Sequence, residues 1–107
     1  MLDIELILHS AGITSNYIGY WLLDSAVEMV MADPSLADNL VEGVYRTVGE
    51  KYEISFVSVE RNMHTAIKRA WEVAPLRVNK ALGRSRVWRP TASEFILLVA
   101  EKLKTDR

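Results

Sequence analysis

The 107-residue sequence contains no cysteine, only three prolines and only five glycines. The absence of cysteine excludes disulfides and thiolate metal sites, and it argues against a small secreted scaffold. Apolar runs such as residues 96–100 are too short to span a bilayer, so we expect no membrane partner. No lysine or arginine precedes Arg46, which is atypical of a signal peptide, and we therefore expect a cytoplasmic location.

Histidine is also scarce, since His9 and His64 are the only two. The sequence has no Ser-His-Asp order, no glycine-rich phosphate loop and no cluster of metal ligands. Glu60 and His64 lie four residues apart and would share a helix face, but two ligands are too few for a metal site. We therefore expect neither an enzyme nor a cofactor, with His64 at the surface and His9 at a helix end or in a packing position.

Half of the residues are hydrophobic, which suits a globular protein and argues against disorder. A chain of this length supports one core rather than two. We expect one domain that spans residues 1–107.

The net charge of −1 conceals two halves of opposite sign. Residues 1–53 hold nine acidic and two basic side chains, a net charge of −7, whereas residues 54–107 hold eleven basic and five acidic ones, a net charge of +6. Such asymmetry is typical of a protein that binds a polyanion, although an ordinary solvated surface with uneven charge has the same composition.

Hydrophobic periodicity and capping signals predict an all-α fold of about six helices, without convincing strand alternation. The predicted helices span about residues 2–11, 16–32, 35–51, 56–73, 75–82 and 91–104. Ser15 and Ser55 are candidate N-caps, and residues 91–94 have the pattern of a capping box. Residues 84–89 form a basic connector.

The second predicted helix is apolar on nearly all sides, a pattern typical of a helix buried at the centre of a domain. The core is expected to bring five large side chains together in one cluster: Trp21, Leu22, Val59, Ile67 and Phe95.

The fourth predicted helix, residues 56–73, carries two opposite stripes at the 3.6-residue period. One stripe is apolar and consists of Val59, Met63, Ala66, Ile67, Ala70 and Ala74. The other holds side chains that bond bases and phosphates, since arginine can read guanine, asparagine can read adenine, and serine, threonine and lysine can hold phosphates. The candidate DNA-binding residues are Ser55, Ser58, Glu60, Arg61, Asn62, His64, Thr65, Lys68 and Arg69.

The third and fourth predicted helices have the pattern of a helix-turn-helix, in which the second helix enters the major groove. Gly49 provides a small residue where the two helices would cross, Tyr52 and Ile54 can fill the turn, and Val59 can pack back from the second helix. Many helical hairpins share this pattern, so a surface helix of an ordinary bundle remains the alternative.

Short segments along nearly the whole chain also resemble a known family. They are Gly19-Tyr20, Val59-Glu60-Arg61 with Ala66-Ile67, Pro90-Thr91 with Ser93-Glu94-Phe95, Val99-Ala100 and Lys102-Leu103. With these segments the chain resembles the C-terminal effector domain of stage zero sporulation protein A, the response regulator that governs endospore formation. The resemblance implies a six-helix domain with a helix-turn-helix, sequence-specific transcription control and dimeric or tandem binding on double-stranded DNA. It also implies that Glu60 and Arg61 lie on the recognition helix and that Arg61 contacts a base or a phosphate.

The sequence departs from the family pattern at three recognition positions. Ser58 stands where the family has arginine, and His64 and Thr65 stand where it has arginine and then histidine. The segment between Trp71 and Pro90 is also shorter than in the family. These departures predict a different preferred DNA site or a lower affinity. The family's phosphoacceptor receiver domain is not expected within this chain.

The function that we expect is therefore a sequence-specific DNA-binding transcription regulator. The alternative is a protein-interaction or dimerisation module that keeps the fold but has weakened or lost DNA binding. The near-neutral charge and the altered recognition positions favour that alternative. So does the run Phe95–Val99, which has more apolar surface than one core face needs, unless the last helix is buried on several sides.

Overall fold

The computed structural model describes residues 2–106, which form six α-helices and no strand. The helices are α1 (Ile4–Ala11), α2 (Ile18–Ala32), α3 (Arg46–Tyr52), α4 (Phe56–Val73), α5 (Pro75–Leu82) and α6 (Ala92–Thr105). The predicted all-α fold class is confirmed. Within residues 2–106 no helix is long and apolar enough to cross a membrane.

Most helix ends follow local signals in the sequence. Asp3, Ser55 and Thr91 cap α1, α4 and α6 by accepting hydrogen bonds from backbone amides of the first turns. The capping box of α6 is complete, because Glu94 also accepts a bond from the Thr91 amide at 2.9 Å. Gly83 closes α5 in the left-handed conformation, as expected for a glycine at this position.

Helix α2 lies at the centre of the molecule, but two predictions about its start are wrong. The helix begins at Ile18 rather than at residue 16, and Tyr17 precedes it without a side-chain cap, so Ser15 is not the N-cap.

Trp21 is 44% exposed rather than buried as predicted, because it lies on the outer edge of α2, where its indole N–H donates to the Ser15 carbonyl. An apolar side chain at the surface is common in proteins, so a helix rich in apolar residues can still have an exposed edge.

The continuous helix predicted over residues 35–51 is also wrong. The structure has a 3₁₀ helix (Pro34–Asp38), then a π-helical segment (Leu40–Tyr45) that continues into α3. The apolar residues recur every four positions, which in an α-helix drifts by about 40° per repeat away from the core. The break at Asn39 and the wider turns of the π-helix correct that drift. As a result Leu40, Val44 and Val48 are all buried.

The core is one hydrophobic cluster to which all six helices contribute. Leu22, Val59, Ile67 and Phe95 are all fully buried in it, as predicted. The predicted apolar stripe of α4 is confirmed up to Ala70, and its residues face the core. Helix α4 therefore has one fixed face, and its other face is available for function.

Candidate nucleic-acid interface

The turn between α3 and α4 positions the candidate interface. Three residues, Glu53, Ile54 and Ser55, join the two helices. Glu53 adopts the left-handed backbone conformation with φ 58°, which costs a non-glycine residue about 1 kcal/mol or more. Its amide bonds the carbonyl of Glu50, and the Ile54 amide bonds the carbonyl of Gly49 at 2.9 Å. These bonds end α3 sharply, so that only three residues separate it from α4.

Two glycines allow close approach of the backbone, one against α4 and one against the turn before it. A Cβ atom on Gly19 of α2 would lie 2.5 Å from the carbonyl oxygen of Asn62. A Cβ atom on Gly49 of α3 would lie 2.6 Å from the carbonyl oxygen of Ile54. Since real contacts of this kind are longer, only glycine allows such close approach at either position. The family-like Gly19 thus fixes the approach of α2 to α4, and Gly49 fixes the approach of α3 to the turn that precedes α4.

The candidate residues occupy the outer side of α4 and its cap. Ser58 and Asn62 are partly buried, whereas seven others are exposed: Ser55, Glu60, Arg61, His64, Thr65, Lys68 and Arg69. The structure therefore places the nine predicted residues on one connected surface, with Ser58 and Asn62 at its inner edge.

Several of these side chains are already bonded within the protein. The Asn62 amide donates to the Ser58 carbonyl at 2.8 Å, and the Thr65 hydroxyl donates to the Arg61 carbonyl at 2.9 Å. Lys68 pairs with Glu72 at 3.4 Å, on a surface where such a pair contributes little to stability. By contrast, the side chains of Arg61 and His64 form no hydrogen bond or ion pair with residues 2–106. Arg61 and His64 are thus free to bond a ligand.

Two arginines, one on α4 and one beside it, contact aromatic rings. The Arg69 guanidinium lies 6.0 Å from the centre of the Tyr17 ring. The Arg46 guanidinium lies 4.2 Å from the centre of the Phe56 ring, and its Nε donates to Glu42 at 2.6 Å. Arg46 was not among the predicted site residues. Its place beside the first residue of α4 depends on the turn geometry, and the only local signal was the four-residue spacing from Glu42.

The start of α6 forms the other wall of the candidate site. A shallow depression lies between the two helices, lined by Val57, Glu60, Arg61, His64, Thr91, Ala92 and Ser93. The prediction did not include the last three residues, because their proximity to α4 arises only from tertiary packing. The first half of α4 therefore borders the residues that precede and begin α6.

Two bonded groups stabilise that wall. Burial raises the pKa of the Tyr45 phenol, which thus stays neutral and shares a hydrogen bond with the Ser93 hydroxyl at 3.0 Å. A hydrogen bond from the Thr91 amide and, secondarily, the nearby Arg86 guanidinium lower the pKa of the Glu94 carboxyl. Glu94 therefore remains ionised at neutral pH, and the stability that its charge contributes is lost only as the pH falls through the lowered pKa.

A family model for the sporulation initiation factor Spo0A C-terminal domain matches residues 4–103 of the chain. The chain belongs to the Spo0A C-terminal family. The resemblance inferred from the sequence motifs is confirmed over nearly the whole length. The Spo0A C-terminal family consists of non-enzymatic, DNA-binding effector domains of transcriptional control. Within residues 2–106, no three His, Asp or Glu side chains lie together as metal ligands would.

Proposed function

We propose that this Spo0A-type domain, residues 1–107, is a sequence-specific transcription regulator that inserts α4 into the major groove of double-stranded DNA. The observation that carries the proposal is the outer face of α4, where Arg61 and His64 are exposed and unbonded within residues 2–106. Membership of a DNA-binding effector family supports it. In this proposal α3 and α4 are the helix-turn-helix, with α4 as the recognition helix.

The proposed contacts divide into base reading and phosphate holding. Arg61 lies in the first half of α4, which usually goes deepest into the groove, and we assign it to a guanine or to the adjoining phosphate. Asn62 would read adenine only after releasing its bond to the Ser58 carbonyl. Glu60 would accept from cytosine or orient the neighbouring cations, because its carboxylate would be repelled by phosphates.

The remaining candidate residues suit the DNA backbone. The Ser58 hydroxyl and His64 can donate to phosphate oxygens. The hydroxyls of Ser55 and Thr65 would first release their bonds to the Ser58 hydroxyl and the Arg61 carbonyl. Arg69 lies about 12 Å along the helix axis from Arg61, which places it and Lys68 toward the edge of the groove. We propose that both hold phosphates. Binding as a homodimer or as tandem copies is part of the proposal, as is a cytoplasmic location.

In vitro selection from random duplexes tests the proposal directly. A DNA reader should enrich one motif over successive rounds. Absence of any enriched motif, with the domain folded, would favour the interaction module that keeps the fold without DNA binding.

Salt dependence provides the first prediction. Salt counterions are released from the DNA phosphates when lysine and arginine side chains bind there. The logarithm of the association constant should therefore fall linearly with the logarithm of the salt concentration. With about four phosphate contacts the slope would be about −3.6. Fluorescence anisotropy of a labelled duplex over a salt series measures it. A slope close to zero, or no binding at low salt, would contradict the proposal.

A second prediction separates the two kinds of contact. Arg61→Ala should cost about 1–3 kcal/mol of binding free energy on the selected duplex and relax specificity at one base pair. Lys68→Ala should weaken binding to all sequences alike and reduce the salt slope by about one. Both substitutions remove one exposed positive charge from the same helix, so each serves as the control for the other.

Competition assays with the selected duplex and a scrambled one measure the difference between the two variants. If Arg61→Ala and Lys68→Ala lose the same affinity on both duplexes, α4 does not read bases in the proposed register.

A further inference from the structure

The connector between α5 and α6, residues 83–91, is basic and strongly exposed at its centre. It contains Arg84, Arg86 and Arg89 and no acidic residue. Val87 is 80% exposed and Trp88 is 79% exposed. A single exposed tryptophan needs no explanation by itself, but this one lies between two arginines in a segment whose backbone is fixed.

The connector is held by a buried amide. The Asn79 side chain, which is almost fully buried, donates to the Arg86 carbonyl at 2.9 Å and accepts from the Arg86 amide at 3.0 Å. The Arg86 guanidinium bonds Glu94 at 3.0 Å and the Trp88 carbonyl at 3.3 Å. Pro90, at the end of the connector, is buried. The exposed indole of Trp88 is therefore presented by an ordered backbone.

The charges of the connector are not equivalent. Arg84 pairs with Glu101 at 3.1 Å, toward the far half of α6, and Arg86 pairs with Glu94. Arg89 forms no ion pair with any residue from 2 to 106. The ion pairs within 4.0 Å in that range all involve other residues. Arg89 is partly buried, and it is the arginine of the connector that no carboxylate of residues 2–106 engages.

Arg89 and Trp88 precede a residue that borders the proposed DNA-reading helix. Thr91 lines the same depression as Arg61 and His64. Consecutive Cα atoms are 3.8 Å apart. The Cα atoms of Arg89 and Trp88 therefore lie at most about 8 Å and about 11 Å from the Cα atom of Thr91. Both residues therefore lie near the depression that the first half of α4 borders, the part of the helix that is proposed to enter the groove.

We propose that Arg89 and Trp88 form a second DNA contact, which holds the phosphate backbone bordering the groove that α4 enters. Arg89 would bond a phosphate, and the Trp88 ring would pack on a neighbouring sugar with its indole N–H directed at a phosphate oxygen. Glu60 is the exposed carboxylate in the depression, and Glu94 is already engaged by Arg86 and the Thr91 amide. The inference rests on the proposed function and extends it to a second element of the fold.

Arg89→Ala tests the charge, and Arg84→Ala is the matched control from the same connector. One lost phosphate contact lowers the affinity by about eightfold at 0.1 M salt and reduces the salt slope by about 0.9. We expect this loss for Arg89→Ala on selected and scrambled duplexes alike, and a smaller one for Arg84→Ala, whose partner lies about 15 Å along α6 from Thr91. Equal losses for the two variants would overturn the assignment of Arg89.

A spectroscopic measurement tests the position of Trp88 without altering it. The protein contains three tryptophans, so labelling with 5-fluorotryptophan gives three fluorine signals, and Trp88→Phe assigns one of them. The difference in chemical shift between H₂O and D₂O reports solvent exposure. Addition of the duplex should reduce this difference for Trp88, and Trp21 provides an exposed internal reference on α2.

The outcomes distinguish this inference from the proposed function. A duplex that binds while Trp88 stays solvent-exposed would overturn the second contact alone and leave that surface for a protein partner. Failure of any duplex to bind at low salt would overturn the proposed function, and the second contact with it.

Discussion

Replacing Phe95 by alanine is expected to destabilise the fold by about 3–5 kcal/mol, because the change leaves a cavity in the core. Phe95 is fully buried and is one of the largest buried side chains of the molecule. It lies in the first turn of α6, just after the capping box, and α6 packs against both α2 and α4. Phe95 therefore anchors the start of α6, which is one wall of the candidate site, in the common core.

Denaturant unfolding of the wild type and of Phe95→Ala measures this loss as a shift of the midpoint at an unchanged slope. Leu98→Ala is the control on the same helix, because Leu98 is only partly buried against the core. We expect its cost to be clearly smaller. A loss below about 1 kcal/mol for Phe95→Ala would be a surface-like effect and would contradict the central position of the ring.

The last helix also bears on the alternative function. In the sequence alone, the run Phe95–Val99 has more apolar surface than one core face needs, which favours a dimer contact on α6. Phe95, Ile96 and Val99 are buried within the chain, and Leu97 and Leu98 pack against the core. Because intrachain packing accounts for all five side chains, the run gives no separate support to a dimerisation surface on α6.

The sequence predicts helices α4, α5 and α6 well, because their ends carry local chemical signals. Ser55, Pro75 and Gly83 mark boundaries that depend on only a few neighbouring residues, and the structure confirms all three. The strict alternation of apolar and polar stripes on α4 also identifies its outer face, since the helical period alone separates the two sides.

The third predicted helix fails for a physical reason. An apolar residue at every fourth position fits neither a straight α-helix nor a strand. The sequence offers no rule for choosing between a break in the helix and a π-helical segment. Trp21 fails differently. The helices that pack against α2 decide which of its sides are buried. Helices α1, α4 and α6 pack against sides other than the edge that carries Trp21.

The candidate site could likewise be predicted where it depends on the spacing within one helix, but not where it depends on tertiary packing. Residues that share α4 could be grouped from their spacing, but Ser93 and Arg46 could not, since one lies on α6 and the other before the turn. Ser58 and Asn62 appear equivalent to their neighbours in the sequence. Only the structure shows that they lie at the inner edge of the face and that Asn62 is bonded to its own helix.

Replacing Gly19 by alanine is expected to have the second largest effect, with a net loss of about 3 kcal/mol in the free energy of unfolding. The added Cβ would lie 2.5 Å from the Asn62 carbonyl oxygen and 2.8 Å from the Ala66 Cβ atom. Overpacking typically costs 1–3 kcal/mol, and no change of rotamer can relieve contacts with a backbone oxygen and a Cβ atom. The cost should therefore be at or above the top of that range, even though alanine returns about 1 kcal/mol of helix propensity.

Gly43→Ala is the matched control, because it makes the same chemical change in a less constrained place. Its added Cβ would meet the Cδ2 atom of Leu36 at 3.0 Å, and that methyl group is the end of a flexible, partly buried side chain. We expect a change within about 0.5 kcal/mol for Gly43→Ala. Denaturant unfolding of both variants, side by side, decides the question. If Gly19→Ala is as stable as Gly43→Ala, α2 does not approach α4 at Gly19 as closely as the structure has it, and α4 must be positioned mainly by α3 and α6.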